Sequence, residues 1–205
     1  MDTKIRGAVG PQALANGASP ILRADVLGGQ HVSQLLAPYY EAVRNGQVFG
    51  ALAQTVTAPV IWSTAAGTGG PLVYNGTTDK NVVLIALGVG TLVASTVAGT
   101  LGIGMGTTTA PTATTAADAR FNMLAGGAAS AATPYRIGTV SAAATSYVPI
   151  VRASTTALTG ETGLSFVELG GMFVIPPGGF ASVVGSAVLT TMQMHAALLW
   201  MEVPR

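Results

Sequence analysis

From Val97 to Met105 the odd positions carry Val97, Gly99, Leu101, Ile103 and Met105, and the even positions carry Ala98, Thr100, Gly102 and Gly104. A repeat of two is the signature of a strand with one heavily apolar face. Just upstream, Val83, Ile85, Leu87, Val89 and Val93 also fall on odd positions, so the pattern predicts two buried strands joined near Ala94 to Thr96. Residues 81–117 contain no charged side chain, and 82–105 is long enough to cross a bilayer as a helix. The repeat of two argues against that helix. So do Gly88, Gly90, Gly99 and Gly102, each of which weakens a helix by about 1 kcal/mol relative to Ala.

Similar patterning continues to the C-terminus. Short strands are predicted near Tyr135–Val140, Tyr147–Arg152, Leu164–Leu169, Met172–Ile175, Phe180–Leu189 and Met192–Val203, separated by turn residues. Thr55–Trp62 is β-branched and interrupted by Pro59, which suits an edge strand or a bulge. Asn75-Gly76 is a tight-turn signal. The Thr- and Ala-rich run 107–119 reads as an exposed loop or crossover. Helical spacing occurs once, where Val32, Leu35, Leu36, Tyr39, Tyr40 and Val43 fall between His31 and Asn45, with Pro38 inside and Asn45-Gly46 as a stop. Residues 1–30 have no period and read as an extended arm. The expected architecture is mainly β: a jelly-roll-type β-sandwich over residues 48–205, preceded by an N-terminal arm and one short helical segment over 1–47.

Composition narrows the function. Charged residues make up 8% of the chain, against about 25% in ordinary soluble proteins. A surface so poor in charge favours contact with other copies or with a partner. The net charge is +1 and the nine basic residues are scattered, which gives no footprint for nucleic acid. The chain has no cysteine, so disulfides, thiolate metal sites and a cysteine nucleophile are excluded. The start, MDTKIRGAVG, lacks the apolar stretch of a signal peptide, and synthesis in the cytoplasm is expected.

Candidate chemistry is sparse. His31 and His195 lie far apart, and neither has another His, Asp or Glu at metal-ligand spacing. His31 reads as a helix-start residue and His195 as a strand residue. Glu161 and Glu168 could meet across a hairpin, but solvated or salt-bridged roles are expected for the carboxylates. The Gly99–Gly106 stretch lacks the Gly-Lys-Ser/Thr of a phosphate loop, and Gly88-x-Gly90 is followed by Val93 where a dinucleotide fingerprint needs glycine. Asn75-Gly76-Thr77 matches a glycosylation sequon, although a turn is the expected role. No catalytic residue, cofactor or metal site is assigned, and the chain is expected not to be an enzyme. A sugar-binding jelly roll would want exposed aromatics, for which Trp62, Tyr74, Tyr135 and Tyr147 are the candidates.

The C-terminal stretch FVIPPGGFASVVGSAVLTTMQMHAALLWMEVPR runs from a strand into Pro176-Pro177-Gly178-Gly179, which forces a turn. A second strand, a Thr190-Thr191 break and a last strand follow. In that last strand Leu198, Trp200 and Glu202 share one side and Leu199, Met201 and Val203 the other, so it is expected at the centre of a sheet or at a subunit contact. This ending resembles the final strands of small jelly-roll virion proteins of tailed bacteriophages, and Ala37-Pro38-Tyr39-Tyr40-Glu41-Ala42-Val43-Arg44-Asn45-Gly46 resembles a segment near their start. The resemblance implies a capsid decoration (cement) protein, present as a homotrimer and bound to the major capsid protein or other virion proteins. The alternatives are a tail, adaptor or fibre component of the virion, or a carbohydrate- or receptor-binding jelly roll. The resemblance implies location in the virion after synthesis in the host cytoplasm, with neither nucleic acid nor membrane as partner. Such proteins act through surfaces, so no site residue is carried over.

Overall fold

The computed structural model describes residues 39–57, 59, 61–63, 71–116, 119–153 and 164–205. The chain divides into two compact units, Met1–Tyr40 and Glu41–Arg205. The predicted arm, His31 and Pro38 lie outside the described residues, as does Glu161. What is described of the predicted helical segment is one short helix, α1 (Tyr40–Arg44). It ends at the Asn45-Gly46 stop. Gly46 takes φ +66°, its N–H donates to the carbonyl of Val43, and the N–H of Gln47 donates to that of Ala42, each at 2.9 Å. These two bonds are the Schellman pair, and they satisfy carbonyls that the helix leaves open.

Among the described residues eleven strands follow: β1 (Val48–Thr57), β2 (Leu72–Tyr74), β3 (Lys80–Val93), β4 (Gly99–Thr107), β5 (Thr112–Ala116), β6 (Ala119–Asn122), β7 (Thr133–Thr139), β8 (Ser146–Ala153), β9 (Leu164–Ile175), β10 (Gly179–Gly185) and β11 (Gln193–Pro204). They form a five-stranded sheet in the order β6-β1-β11-β3-β9 and a six-stranded sheet in the order β5-β7-β2-β10-β4-β8. Every sheet neighbour is antiparallel. With β5, β6 and β7 set aside, the remaining eight strands are divided between the sheets in the jelly-roll order. The first, eighth, third and sixth make one sheet, and the second, seventh, fourth and fifth make the other. The fold is therefore a jelly-roll β-sandwich with a three-stranded insertion between its fourth and fifth strands. That insertion extends both sheets on the same side, β6 beside β1 and β7 beside β2, so neither of those strands is left as a bare edge.

The insertion corrects one expectation. Thr112–Ala116, read from its low complexity as a loop, is the edge strand β5 paired with β7. Threonine suits an edge because it is β-branched yet tolerates solvent on its open side. Residues 82–105 do form two strands, β3 and β4, joined through residues 94–98. Among the described residues no helix is long and apolar enough to cross a membrane.

The core lies between the sheets, with Phe49, Leu84, Leu87, Leu101, Ile103, Phe173, Val183, Leu198 and Trp200 among its members. Each such side chain, fully buried, contributes roughly 1.5–3 kcal/mol. On β3 the inward set is Val82 and Leu84, then Leu87 and Val89. A single odd-numbered face was expected, but the register shifts between Leu84 and Ala86 in the pairings to both neighbours. The extra residue of a bulge exchanges the two faces of a strand, because side chains alternate with a period of two. A bulge also falls in β1 between Ala53 and Val56, ahead of Pro59, and Thr55–Thr57 of the stretch read as an edge strand or bulge closes β1, an interior strand between β6 and β11.

Both predicted turns are crossovers between sheets. Asn75 and Gly76 keep negative φ, and Asn75 is fully buried. Its side-chain amide donates to the carbonyls of Lys80 and Ile175, each at 2.9 Å. Its side-chain oxygen accepts from the hydroxyl of Thr77 at 2.7 Å and from the N–H of Thr77 at 3.2 Å. The β2–β3 crossover is thereby pinned to the end of β9, where Pro176-Pro177-Gly178 carries the chain into β10 with Gly178 at φ +74°. In the folded molecule the sequon asparagine is closed to modification.

Candidate functional site

The described carboxylates and histidine do not come together. Among the described residues no three of His, Cys, Asp and Glu lie close enough to hold a metal ion. His195 sits half-buried on the outward face of β11, and Glu168 is exposed on β9. Among the described residues the one deeply buried acid is Glu202, which the sequence leaves among the scattered carboxylates. The inward phase of β11 takes it into the interior, where it is 3% exposed. One carboxylate oxygen accepts from Nζ of Lys80 at 3.0 Å. The other accepts from the hydroxyl of Ser130 at 2.6 Å and from the N–H groups of Ala131 and Ala132 at 2.8 and 3.1 Å. Burial pulls the pKa of Glu202 upward, but the bonds from Ser130, Ala132 and Lys80, with the Lys80 charge, outweigh it and hold the carboxyl below its ordinary range. Every donor that Glu202 meets is structural. It anchors the loop between β6 and β7 to the central strand.

A cavity of about 390 Å³ lies beside that loop, lined in part by Arg120, Asn122, Ser130 and Trp200. The polar groups of Asn122 and Ser130 are committed to the loop. The Asn122 amide donates to the carbonyls of Gly46 and Ala128, and Ser130 donates to Glu202. Its walls therefore hold no pair of acid and base. The aromatic candidates are also engaged within the fold. Trp62 and Tyr147 stack on each other with ring centres 6.0 Å apart, and Tyr74 and Tyr135 pack on a small second core.

The outward faces of the two sheets differ sharply. On the six-stranded sheet, Leu72 and Phe180 face outward and are covered by Val140 and Ala144, so this face carries its own satellite core. Strand β10 is consequently buried on both sides. Among the described residues no second cluster packs on the outward face of the five-stranded sheet, where Val48 and Ala86 are buried but several large apolar side chains are exposed. The pairings of that sheet align rows of side chains: Phe121, Gly50, Leu199, Ala86 and Glu168 in one, and Leu52, Ala197, Gly88 and Phe166 in the next. A third row holds Val48, Met201, Val83 and Val174. Phe166 is 61% exposed and Met172, beside the third row, 76%. Val174 and Phe121 are exposed as well. A second apolar group, Leu92, Val93, Val97 and Val188, is exposed around the β3–β4 turn. Clusters of exposed large apolar side chains such as these mark interaction surfaces.

Sequence reading had placed Leu199, Met201 and Val203 on one side of the last strand and allowed for a subunit contact there. It missed the partners of that side, because Phe121, Leu52, Val83 and Phe166 reach it only through pairings distant in the chain. Comparison with protein-family models, curated proteins and solved structures brings no significant match.

Proposed function

We propose that this chain is a non-enzymatic structural protein of a bacteriophage particle, a decoration or cement protein that stabilises the shell through many modest contacts. The observation that carries the reading is the set of exposed apolar side chains on the five-stranded sheet, Phe121, Phe166, Met172 and Val174, on a jelly roll whose other sheet carries a satellite core. Such a surface is suited to holding another protein and has little to offer a small polar substrate. The charge-poor composition and the phage-like C-terminal strands point the same way. The expected partners are further copies of the chain, as a homotrimer, together with the major capsid protein or other virion proteins. A contact too weak to hold one copy becomes durable when several linked copies bind a symmetric shell, because every contact after the first forms at high effective concentration.

The test is to raise antibodies against the purified protein and label particles banded on a density gradient from a culture that expresses it. Regular labelling of intact heads is the expected result. Label confined to tails would replace decoration with the tail or fibre alternative. Protein found only in the unbanded soluble fraction would overturn the virion reading.

A further inference from the structure

We infer that the cavity beside the β6–β7 loop is a binding site for a sugar acid, a pyranose ring that carries one carboxylate. This goes beyond the assembly reading above and does not depend on it.

The site starts from a buried donor that the fold does not use. Trp200 lines the cavity and is 1% exposed, and among the described residues its indole Nε1–H meets no acceptor. Buried donors are nearly always paired, and one left open costs about 1–3 kcal/mol. A ligand that brings an oxygen to that nitrogen recovers the bond. On the solvent side stands Arg120, exposed on β6 and held by no hydrogen bond or ion pair among the described residues. Its guanidinium is a planar fork that matches a carboxylate.

The space between them is built and fixed. Gly127, Ala128 and Ala129 line it with little or no side chain, and the cavity holds about 390 Å³. The Asn122 amide clips this segment by donating to the carbonyls of Ala128 at 2.8 Å and Gly46 at 3.1 Å. A Cβ on Gly127 would stand 2.6 Å from that amide nitrogen, so glycine is what admits the clip. Glu202 holds the far end of the loop through Ser130, Ala131 and Ala132. A wall already set in place need not be ordered when a ligand binds.

Size and charge choose the ligand class. The volume lies at the small end of the roughly 300–1,000 Å³ of ligand pockets, enough for one sugar ring and far more than a bare carboxylate fills. One cation and no carboxylate line the cavity, which balances a single negative charge. A doubly charged phosphate would call for a second cation. Phe121 and Trp200 supply aromatic surface for the C–H groups of a pyranose. A fatty acid would also satisfy Arg120, but its tail brings no oxygen to the indole N–H, whereas a sugar ring brings several.

The test is ¹⁵N–¹H NMR of the full chain carrying Trp62→Phe, which leaves Trp200 as its one tryptophan. Sodium glucuronate and sodium galacturonate are titrated beside glucose, galactose and sodium acetate. The Trp200 indole signal is expected to move saturably with at least one uronate, at roughly millimolar concentration. The neutral sugars and acetate are expected to bind at least about tenfold more weakly. Arg120→Gln, a change at an exposed site that leaves the remaining spectrum in place, should weaken the uronate by a similar factor. Short oligomers of the uronate that binds then separate the sources. Tighter binding of the oligomer assigns the ligand to a glycan and equal binding to the free sugar, and either result supports the site. An indole signal that neither uronate moves up to about 100 mM overturns the inference. Binding of a neutral sugar or of acetate as tight as that of the uronate also overturns it, as does uronate binding that Arg120→Gln leaves intact.

Discussion

Glu202 illustrates how strand alternation places a single group. It follows Trp200 on the inward side of β11, and that phase obliges the interior to supply partners for a carboxylate. Ser130, Ala131, Ala132 and Lys80 do so. Replacing Glu202 with Gln keeps the shape but removes the charge and turns one acceptor into a donor facing donors. The expected loss is about 2–3 kcal/mol at pH 7, measured by urea unfolding. The pH dependence has a definite sign. The folded carboxyl is more acidic than the unfolded one, so the unfolded chain takes up the proton first. The contribution is complete above the ordinary glutamate value of about 4.3 and is lost as pH falls through the lower folded value. The gap between wild type and Glu202→Gln should therefore close in acid. A gap of constant size from pH 7 to acid would show that the charge has no part in it.

At the scale of elements, β4 shows why an even position such as Gly102 is glycine. A Cβ on Gly102 would stand 2.1 Å from the carbonyl oxygen of Val148 and 2.8 Å from its carbonyl carbon. Those are backbone atoms of β8, so the strand itself would have to move. Gly88 differs, since a Cβ there meets nothing closer than 3.6 Å, the Cβ of Ala197. Gly102→Ala is expected to cost about 3 kcal/mol or more, or to prevent soluble accumulation, while Gly88→Ala changes stability by less than about 1 kcal/mol. Comparable unfolding midpoints for the two would refute the close approach of β8 to β4. Sequence reading saw these glycines as breaks in a helix and as failed phosphate motifs. The use of Gly102 was hidden because Val148 lies far along the chain and meets it only once the sheet forms. The Thr-rich β5 escaped for a similar reason: its composition is that of a loop, and its pairing with β7 makes it a strand.

For the whole molecule, the low charge has a measurable consequence. With 8% charged residues and a net charge of +1, little of the stability can reside in long-range electrostatics. Raising sodium chloride from about 50 mM to about 500 mM shortens the screening length from roughly 14 Å to roughly 4 Å. The thermal midpoint should nevertheless move by less than about 3 °C, since burial of apolar surface dominates. A shift of more than about 5 °C would place a larger share of the stability in charge pairs than the structure accounts for.

The sequence by itself determined the class of the fold and most of its strands, because a repeat of two and turn residues such as Pro176 to Gly179 are local signals that any strand must write into its own residues. It also determined the character of the last strand, where apolar residues on both sides call for cover on both sides. Only the tertiary structure decided which strands share a sheet, where the β3 bulge exchanges inside and outside, and that Asn75 joins two crossovers instead of closing a hairpin. It alone gathered Phe121, Leu52, Leu199 and Phe166 onto one outward face. Hydrogen-bonded pairing between distant strands sets these outcomes, and the pairing energy depends on partners that no local stretch of sequence contains.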